Sequence, residues 1–311
     1  MRLTHTQAVW VMVACTAMWS IAGVVTRQLE SAQSFEVTFW RSLFTMLSLA
    51  VILPLTQGKA VFQRLLQAPR VVWFSGLCWA FMFTSFMMAL TLTTVAEVLI
   101  TMAIGPLITA LIARVFLQHH IPLRTWLAIA MAGVGMAWMF NEPASEGAAT
   151  PWGTLVALLV PLSAAINWTL VQRAQREAHT TNEHDASAAL IPSVMVGAFL
   201  SALATLPFST PFQATSTDVA WLALLGLVQL AIPCALVVVC ARVLPAPEIS
   251  LLALLEVLFG IALAWVGAGE EPSARVLSGG SLVLIGLLLN EWLASRESKE
   301  EQLVRPDSKE M

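Results

Sequence analysis

Two ionisable side chains lie deep inside apolar segments, and they are the first candidates for chemistry. Glu256 stands in "EISLLALLEVLFGIALAWV", eight residues after Glu248, which is about 12 Å further along a helix. Arg41 stands in "EVTFWRSLFTMLSL". Ionisable groups in such surroundings usually face an internal cavity or a buried partner. Glu256 is therefore a candidate for carrying a proton, binding a cationic group of a solute or pairing internally. Arg41 is a candidate for holding a carboxylate or phosphate, unless it extends to the end of its helix instead.

Four further side chains add polar or aromatic groups to apolar segments. They are Trp19, Asn167, Trp168 and Gln229. Binding cavities for small molecules combine aromatic walls with a few polar groups, so these residues are candidates for a solute site. The alternative for each of them is packing or a hydrogen bond between helices.

Two other acids have a structural explanation. Glu97 has capping-box spacing from Thr94, which predicts a helix start, and a binding role stays open for it. Glu248 follows Pro247, and a proline with an adjacent acid is a common helix-start signal.

The composition indicates an integral membrane protein. Of 311 residues, 58% are hydrophobic and only 11% are charged, whereas soluble domains carry about 25% charged residues. A net charge of −3 gives no indication of a nucleic-acid partner. No metal-binding, nucleotide-binding or nucleophile motif occurs, so we expect no metal, no cofactor and no enzymatic activity. The four cysteines lie in apolar runs without CxxC spacing, which favours small buried side chains over metal ligands or disulfides.

Ten apolar runs are long enough to cross a bilayer as helices, and they predict an all-α fold. These predicted spans, numbered 1 to 10, are 8–26, 36–55, 71–91, 95–116, 122–140, 152–172, 188–207, 219–240, 246–267 and 276–294. The prolines Pro106, Pro161, Pro192 and Pro233 should kink or break helices locally.

The basic residues support this count of spans. Thirteen lysines and arginines fall on one side of the predicted membrane and two on the other, with Arg41 inside a span. Because basic residues are enriched in cytoplasmic loops, both termini are predicted to be cytoplasmic.

The chain also has the organisation of an inverted repeat. A shift of 151 residues places Glu97 on Glu248 and Gly135 on Gly286. Five spans in each half give the halves opposite orientations. The predicted units are a first five-helix repeat over 1–141, an outer linker over 142–151, a second repeat over 152–295 and a disordered cytoplasmic tail over 296–311.

Small residues spaced by four predict close packing at the centre of this bundle. They are Gly105, Thr109 and Ala113 in span 4, and Gly260 and Ala264 in span 9. Small residues let helices approach closely in lipid. Spans 4 and 9 are therefore the predicted meeting point of the two halves.

These residues resemble the drug/metabolite transporter superfamily, and within it the EamA-type transporters, over nearly the whole chain. The stretch "ALVVVCARVLPAPEISLLALLEVLFGIALAWVGAGE" is similar to the span 8 to 9 region of that family, and "MWSIAGVVTRQL" to its opening. Glu256-Val257 stands where the family has Glu-Pro, and the first half keeps only the proline of that pair, in Gly105-Pro106.

The resemblance implies a secondary transporter of the bacterial inner membrane that works by alternating access. Its expected partners are the lipid bilayer, a small solute such as an amino acid or drug-like compound, and protons. Export is commoner than uptake in the family. The alternatives are an exchanger of nucleotide sugars or phosphorylated metabolites, and a membrane scaffold that transports nothing. Assembly as a homodimer is also open.

Overall fold

Helices account for the ordered architecture of the described residues, and no strand occurs among them. The computed structural model describes residues 3–26, 28–32, 34–92, 98, 101–102, 104–116, 121–140, 151–180, 190–268 and 274–304. The helices in the first half are α1 (His5–Thr26), α2 (Ser34–Gln57), α3 (Val61–Leu66), α4 (Arg70–Leu92), α5 (Gly105–Phe116) and α6 (Leu123–Phe140). Those in the second half are α7 (Pro151–Thr180), α8 (Pro192–Thr205), α9 (Ser216–Leu224), α10 (Ile232–Cys240), α11 (Ala246–Ala253), α12 (Leu255–Ala268) and α13 (Ala274–Val304).

Six described segments are long and apolar enough to cross a membrane, judged by length and composition. Four more apolar helices of 10–17 residues accompany them. Helices α1, α2 and α4 to α8 correspond to predicted spans 1 to 7, and α13 corresponds to span 10. It continues to Val304, beyond residue 296 where the polar tail was predicted to begin. The chain is thus a multi-pass helical protein, and the figure of ten crossings stays a prediction.

Two predicted spans are interrupted rather than continuous. Span 8 consists of α9, a π-helical segment over Leu225–Ala231, and α10. The π turns precede Pro233, which lacks the N–H that a regular helix would use at that position. Span 9 is divided into α11 and α12 at Leu254. There the Leu254 amide bonds the Leu251 carbonyl, and the Val257 amide bonds the Leu254 carbonyl, so the regular i−4 ladder is broken.

Local sequence signals explain several helix starts. Thr215 and Asp218 form a capping box at the start of α9, in which each side chain accepts the backbone N–H of the other residue. Pro192 occupies the first position of α8, and Pro245 precedes α11 in extended conformation. Of the four prolines expected to disturb helices, Pro161 is accommodated inside α7 without ending it.

Contacts between the two halves follow a two-fold exchange. In this exchange each of spans 1 to 5 takes the place of its counterpart in the second half, so span 1 corresponds to span 6 and span 5 to span 10. Span 1 packs against spans 8 and 9, and span 6 correspondingly packs against spans 3 and 4. Span 2 packs against span 8, and span 7 against span 3. The exchange leaves three pairs of spans unchanged, and in each pair the two spans are in contact. These pairs are 2 and 7, 4 and 9, and 5 and 10. The core therefore lies between the halves and not within either one.

Glycines on α6 and α13 show this exchange at atomic detail. A Cβ on Gly135 would lie 2.6 Å from the Gly279 carbonyl oxygen and 2.9 Å from a Val283 methyl. A Cβ on Gly286 would lie 3.3 Å from the Ala128 carbonyl oxygen and 3.2 Å from Met131. Gly135 and Gly286 are the residues that the shift of 151 superimposes. Each half thus uses its glycine to bring the same two helices into contact.

Candidate functional site

Arg41 is buried where helices of both halves meet. Its side chain is 3% exposed, and its Nη2 donates to the Phe83 carbonyl on α4 over 3.5 Å. Its Nε finds no hydrogen-bond partner among the residues that the structure describes. The guanidinium interacts electrostatically with Glu256 on α12, and the Cys234 thiol on α10 also lies near it. Arg41 therefore does not extend to the end of its helix, and it keeps a donor available in the interior.

Glu256 stands directly after the interruption at Leu254. It is the second residue of α12 and only half-buried. The carboxylate and the Arg41 guanidinium interact electrostatically, although the two residues are 215 positions apart in the chain. In transporters, interrupted helices often line a solute site because they free backbone groups locally. The break places this carboxylate next to such freed backbone.

Trp19 and Gln229 are linked to the same pair of charges through Cys234. The Gln229 Nε2 donates to the Trp19 carbonyl over 3.5 Å, and its Oε1 has no partner in the described ranges. The Trp19 side chain lies beside the Cys234 thiol. That thiol also lies near Arg41 and Glu256. We refer to Trp19, Arg41, Gln229, Cys234 and Glu256 as the central cluster.

Sequence reasoning missed Cys234 as a member of this cluster. The interpretation of the cysteines as buried side chains fits their burial, because Cys15, Cys234 and Cys240 are buried and all four thiols are free. A cysteine in an apolar run gives no sequence signal that separates a site residue from an ordinary core residue. Only the packing of α10 against α1 reveals which of the thiols faces the charges.

Asn167 and Trp168 occupy a second, uncharged cluster between α4, α7 and α8. The Ser75 hydroxyl donates to the Asn167 Oδ1 over 2.6 Å, and Ser193 lies 2.9 Å from Ser75. The Trp168 ring meets Trp79 edge-on, with the centroids 5.4 Å apart. The Asn167 Nδ2 has no partner.

The two clusters are connected through one residue of α4. Phe83 packs its ring against Trp79, with the centroids 5.5 Å apart, and its carbonyl accepts from Arg41. A row of aromatic and charged groups therefore runs from Trp168 through Phe83 and Arg41 to Glu256.

The small residues predicted to pack between spans 4 and 9 have mixed surroundings. A Cβ on Gly105 would lie 3.4 Å from both Pro161 and Ser250, so α5 closely approaches α7 and α11. Thr109 and Ala113 are fully buried. Within the described part of the chain, Gly260 has no neighbour within 4 Å of its Cβ position, so no close helix contact is seen there. Glu97 lies outside the described residues, as does the side chain of Ala264.

This geometry suits recognition of a small polar solute. A guanidinium with an unused donor binds carboxylates and phosphates, and a nearby carboxylate binds cationic groups or protons. Trp19 supplies an aromatic wall beside them. Among the described residues, no group of three or more His, Cys, Asp or Glu side chains is placed to hold a metal ion.

Comparison with known proteins identifies the family. The model of the EamA-like transporter family matches residues 6–141 and again 151–292, one match for each half. A comparison with curated protein sequences found no match. Among solved structures 28 chains match, and one crystal structure aligns with a TM-score of 0.73, covering 94% of this chain and 99% of that one. Its 18% sequence identity shows a shared fold alone. The two matches to one family model, together with the exchange symmetry of the helix contacts, place this chain in the EamA-like transporter family.

Proposed function

We propose that the chain is a secondary transporter that exports small metabolites, such as amino acids or drug-like compounds, by alternating access. Family membership supports transport of small solutes across a membrane. The observation that carries the finer proposal is the central cluster. It joins Trp19 and Arg41 of the first half to Gln229, Cys234 and Glu256 of the second half. A site built from both halves changes shape when the halves move.

The charges of the central cluster favour a solute with both an anionic and a cationic group. Arg41 would hold the anionic group through its unused Nε donor. Glu256 would receive the cationic group, or a proton in its place when no solute is bound. Such an exchange at one carboxylate would couple export to proton entry.

The orientation of the chain is also part of this proposal. The excess of basic residues on one side supports cytoplasmic termini. Family membership suggests a bacterial inner membrane. We assign the two repeats to residues 1–141 and 152–295, joined by an outer linker over 142–151.

Thermal stability of the detergent-purified chain across a solute panel tests the proposal. The panel contains amino acids, sugars, nucleotide sugars, polyamines and cationic drugs. A solute at about 100 times its Kd should stabilise the folded chain by about 2.7 kcal/mol if it binds only that state. We expect a zwitterionic solute to raise the Tm of the wild type and of Arg275→Ala, whose side chain packs over Trp138 away from the cluster.

The same solute should leave the Tm of Arg41→Ala unchanged. Stabilisation of Arg41→Ala equal to that of the wild type would contradict the assignment of the anion site. Stabilisation only by nucleotide sugars would instead favour the exchanger alternative. The absence of stabilisation by any solute would favour a scaffold, and partner capture would follow.

A further inference from the structure

Two buried carboxylates join the halves at the end of the bundle where α2 and α9 begin. Asp218 of α9 accepts two backbone amides from the loop between α1 and α2. The Glu30 N–H donates to Oδ1 over 2.8 Å, and the Ser31 N–H donates to Oδ2 over 3.2 Å. The Thr215 N–H also donates to Oδ2, over 3.1 Å. The second half thus holds a loop of the first.

Glu36 of α2 makes the reverse connection. The Gln213 N–H donates to its Oε2 and the Ala214 N–H to its Oε1, both over 2.9 Å. The Trp40 indole donates to Oε1 as well, over 3.2 Å. Gln213 and Ala214 belong to the loop that precedes α9. The first half therefore holds a loop of the second. We call the two carboxylates, together with their four backbone partners in the opposite half, the carboxylate clamp.

The clamp is shielded from solvent. Asp218 is 0% exposed and Glu36 is 1% exposed. Aromatic rings of both halves lie around it, with Phe35 against Phe208 at 5.3 Å and Trp40 against Phe212 at 5.4 Å between centroids. Hydrogen bonds to ionised groups are about twice as strong as neutral ones, and burial raises the cost of losing them.

Close packing continues directly beneath the clamp. The Thr45 hydroxyl on α2 donates to the Gly226 carbonyl in the π segment over 3.1 Å. A Cβ on Gly226 would lie 2.9 Å from the Arg41 carbonyl oxygen, so the two backbones are nearly in contact. The Ser42 hydroxyl donates to Ser201 on α8 over 3.1 Å. The helices that the clamp joins are therefore joined along their lengths too.

We propose that the carboxylate clamp is a permanent pivot that stays closed in every state of the transport cycle. The pivot role depends on the proposed transport function, whereas the clamp itself does not. Opening it would break four hydrogen bonds between carboxylates and backbone amides at once, a large cost for a step repeated in each cycle. Helices α2, α8 and α9 then stay fixed relative to one another. Solute access is controlled by the remaining helices, including the interrupted pair α11 and α12.

Hydrogen exchange of the full chain in lipid nanodiscs tests the pivot without any solute. The probes are the amides of Glu30, Ser31, Gln213 and Ala214, resolved individually by fragmentation mass spectrometry. The minor state of a two-state equilibrium is typically populated at about 0.1–10%. If the clamp opened in that minor state, its amides would exchange at most about 1,000 times more slowly than unprotected amides. The pivot predicts slower exchange than this at all four amides, and faster exchange would overturn it.

Matched variants test whether the carboxylates cause the slow amide exchange. Asp218→Asn should speed exchange at Glu30 and Ser31 by at least about tenfold, because its amide group cannot accept from both N–H groups. Glu30→Gln is the control, since the Glu30 side chain is exposed and only its backbone takes part. Unchanged protection in Asp218→Asn would refute the role of that carboxylate. If Asp218→Asn does not fold, the wild-type rates still decide the question. Fast exchange at these amides would not change the result of the solute panel. The absence of solute binding in the panel would not change the exchange rates.

Discussion

At the scale of single residues, the charges inside the apolar segments are the informative feature. Arg41 and Glu256 were candidates because ionisable side chains are costly in hydrocarbon. The structure brings them together with Trp19 and Gln229, from four separate elements. Their joint role as a solute site remains our proposal.

Glu256 is predicted to carry the coupling proton. In Glu256→Gln the side chain keeps its shape but can no longer exchange a proton, so solute flux should lose its dependence on a pH gradient. Glu248→Gln is the matched control, because Glu248 starts α11 and lies 2.9 Å from His5 at the helix end. Flux in proteoliposomes with an imposed pH gradient gives the comparison. Wild-type dependence in Glu256→Gln would exclude this carboxylate as the coupling site.

The residues of the carboxylate clamp, and Cys234 of the central cluster, could not be predicted from the sequence. Glu36 and Asp218 are acids in the first turns of helices, which usually indicates a local cap. Their partners lie 177 and 188 residues away, across the interface between the halves. The same reason hides Cys234, because only tertiary packing brings α10 against α1.

At the scale of elements, the apolar runs predicted where helices occur but not where they break. The interruption at Leu254 contains neither glycine nor proline, so it has no local signal. The π segment is different, because Pro233 indicated a disturbance near that position. Each irregular segment contains or adjoins a residue of the central cluster. Gln229 lies within the π segment, and Glu256 follows the interruption at Leu254.

The contact between α6 and α13 is predicted to depend on Gly135. In Gly135→Ala the new Cβ would lie 2.6 Å from the Gly279 carbonyl oxygen, which must force the helices apart. We expect a loss of about 1–3 kcal/mol in the free energy of unfolding. Gly133→Ala, two residues earlier on α6, meets nothing within 4 Å and should be neutral or stabilising by up to about 1 kcal/mol. Equal unfolding midpoints of the two variants in detergent would contradict this packing.

At the scale of the whole molecule, the repeat is the feature that the sequence predicted best. A shift of 151 residues aligned Gly135 with Gly286 before any contact was known, and the structure places both at the same helix interface. The prediction succeeds because a contact between two symmetry-related helices uses equivalent residues of both. The clamp has no such requirement, since neither Glu36 nor Asp218 has an acid at the equivalent position of the other half.

Counterflow in proteoliposomes tests the central claim most directly. Vesicles holding the purified chain are loaded with the solute that stabilises it, and uptake of the same radiolabelled solute is followed after dilution. A transporter with alternating access should accumulate label transiently in the wild type and in Arg275→Ala, and at least about tenfold less in Arg41→Ala. Accumulation no greater than in protein-free vesicles, or equal accumulation in Arg41→Ala, would contradict the account.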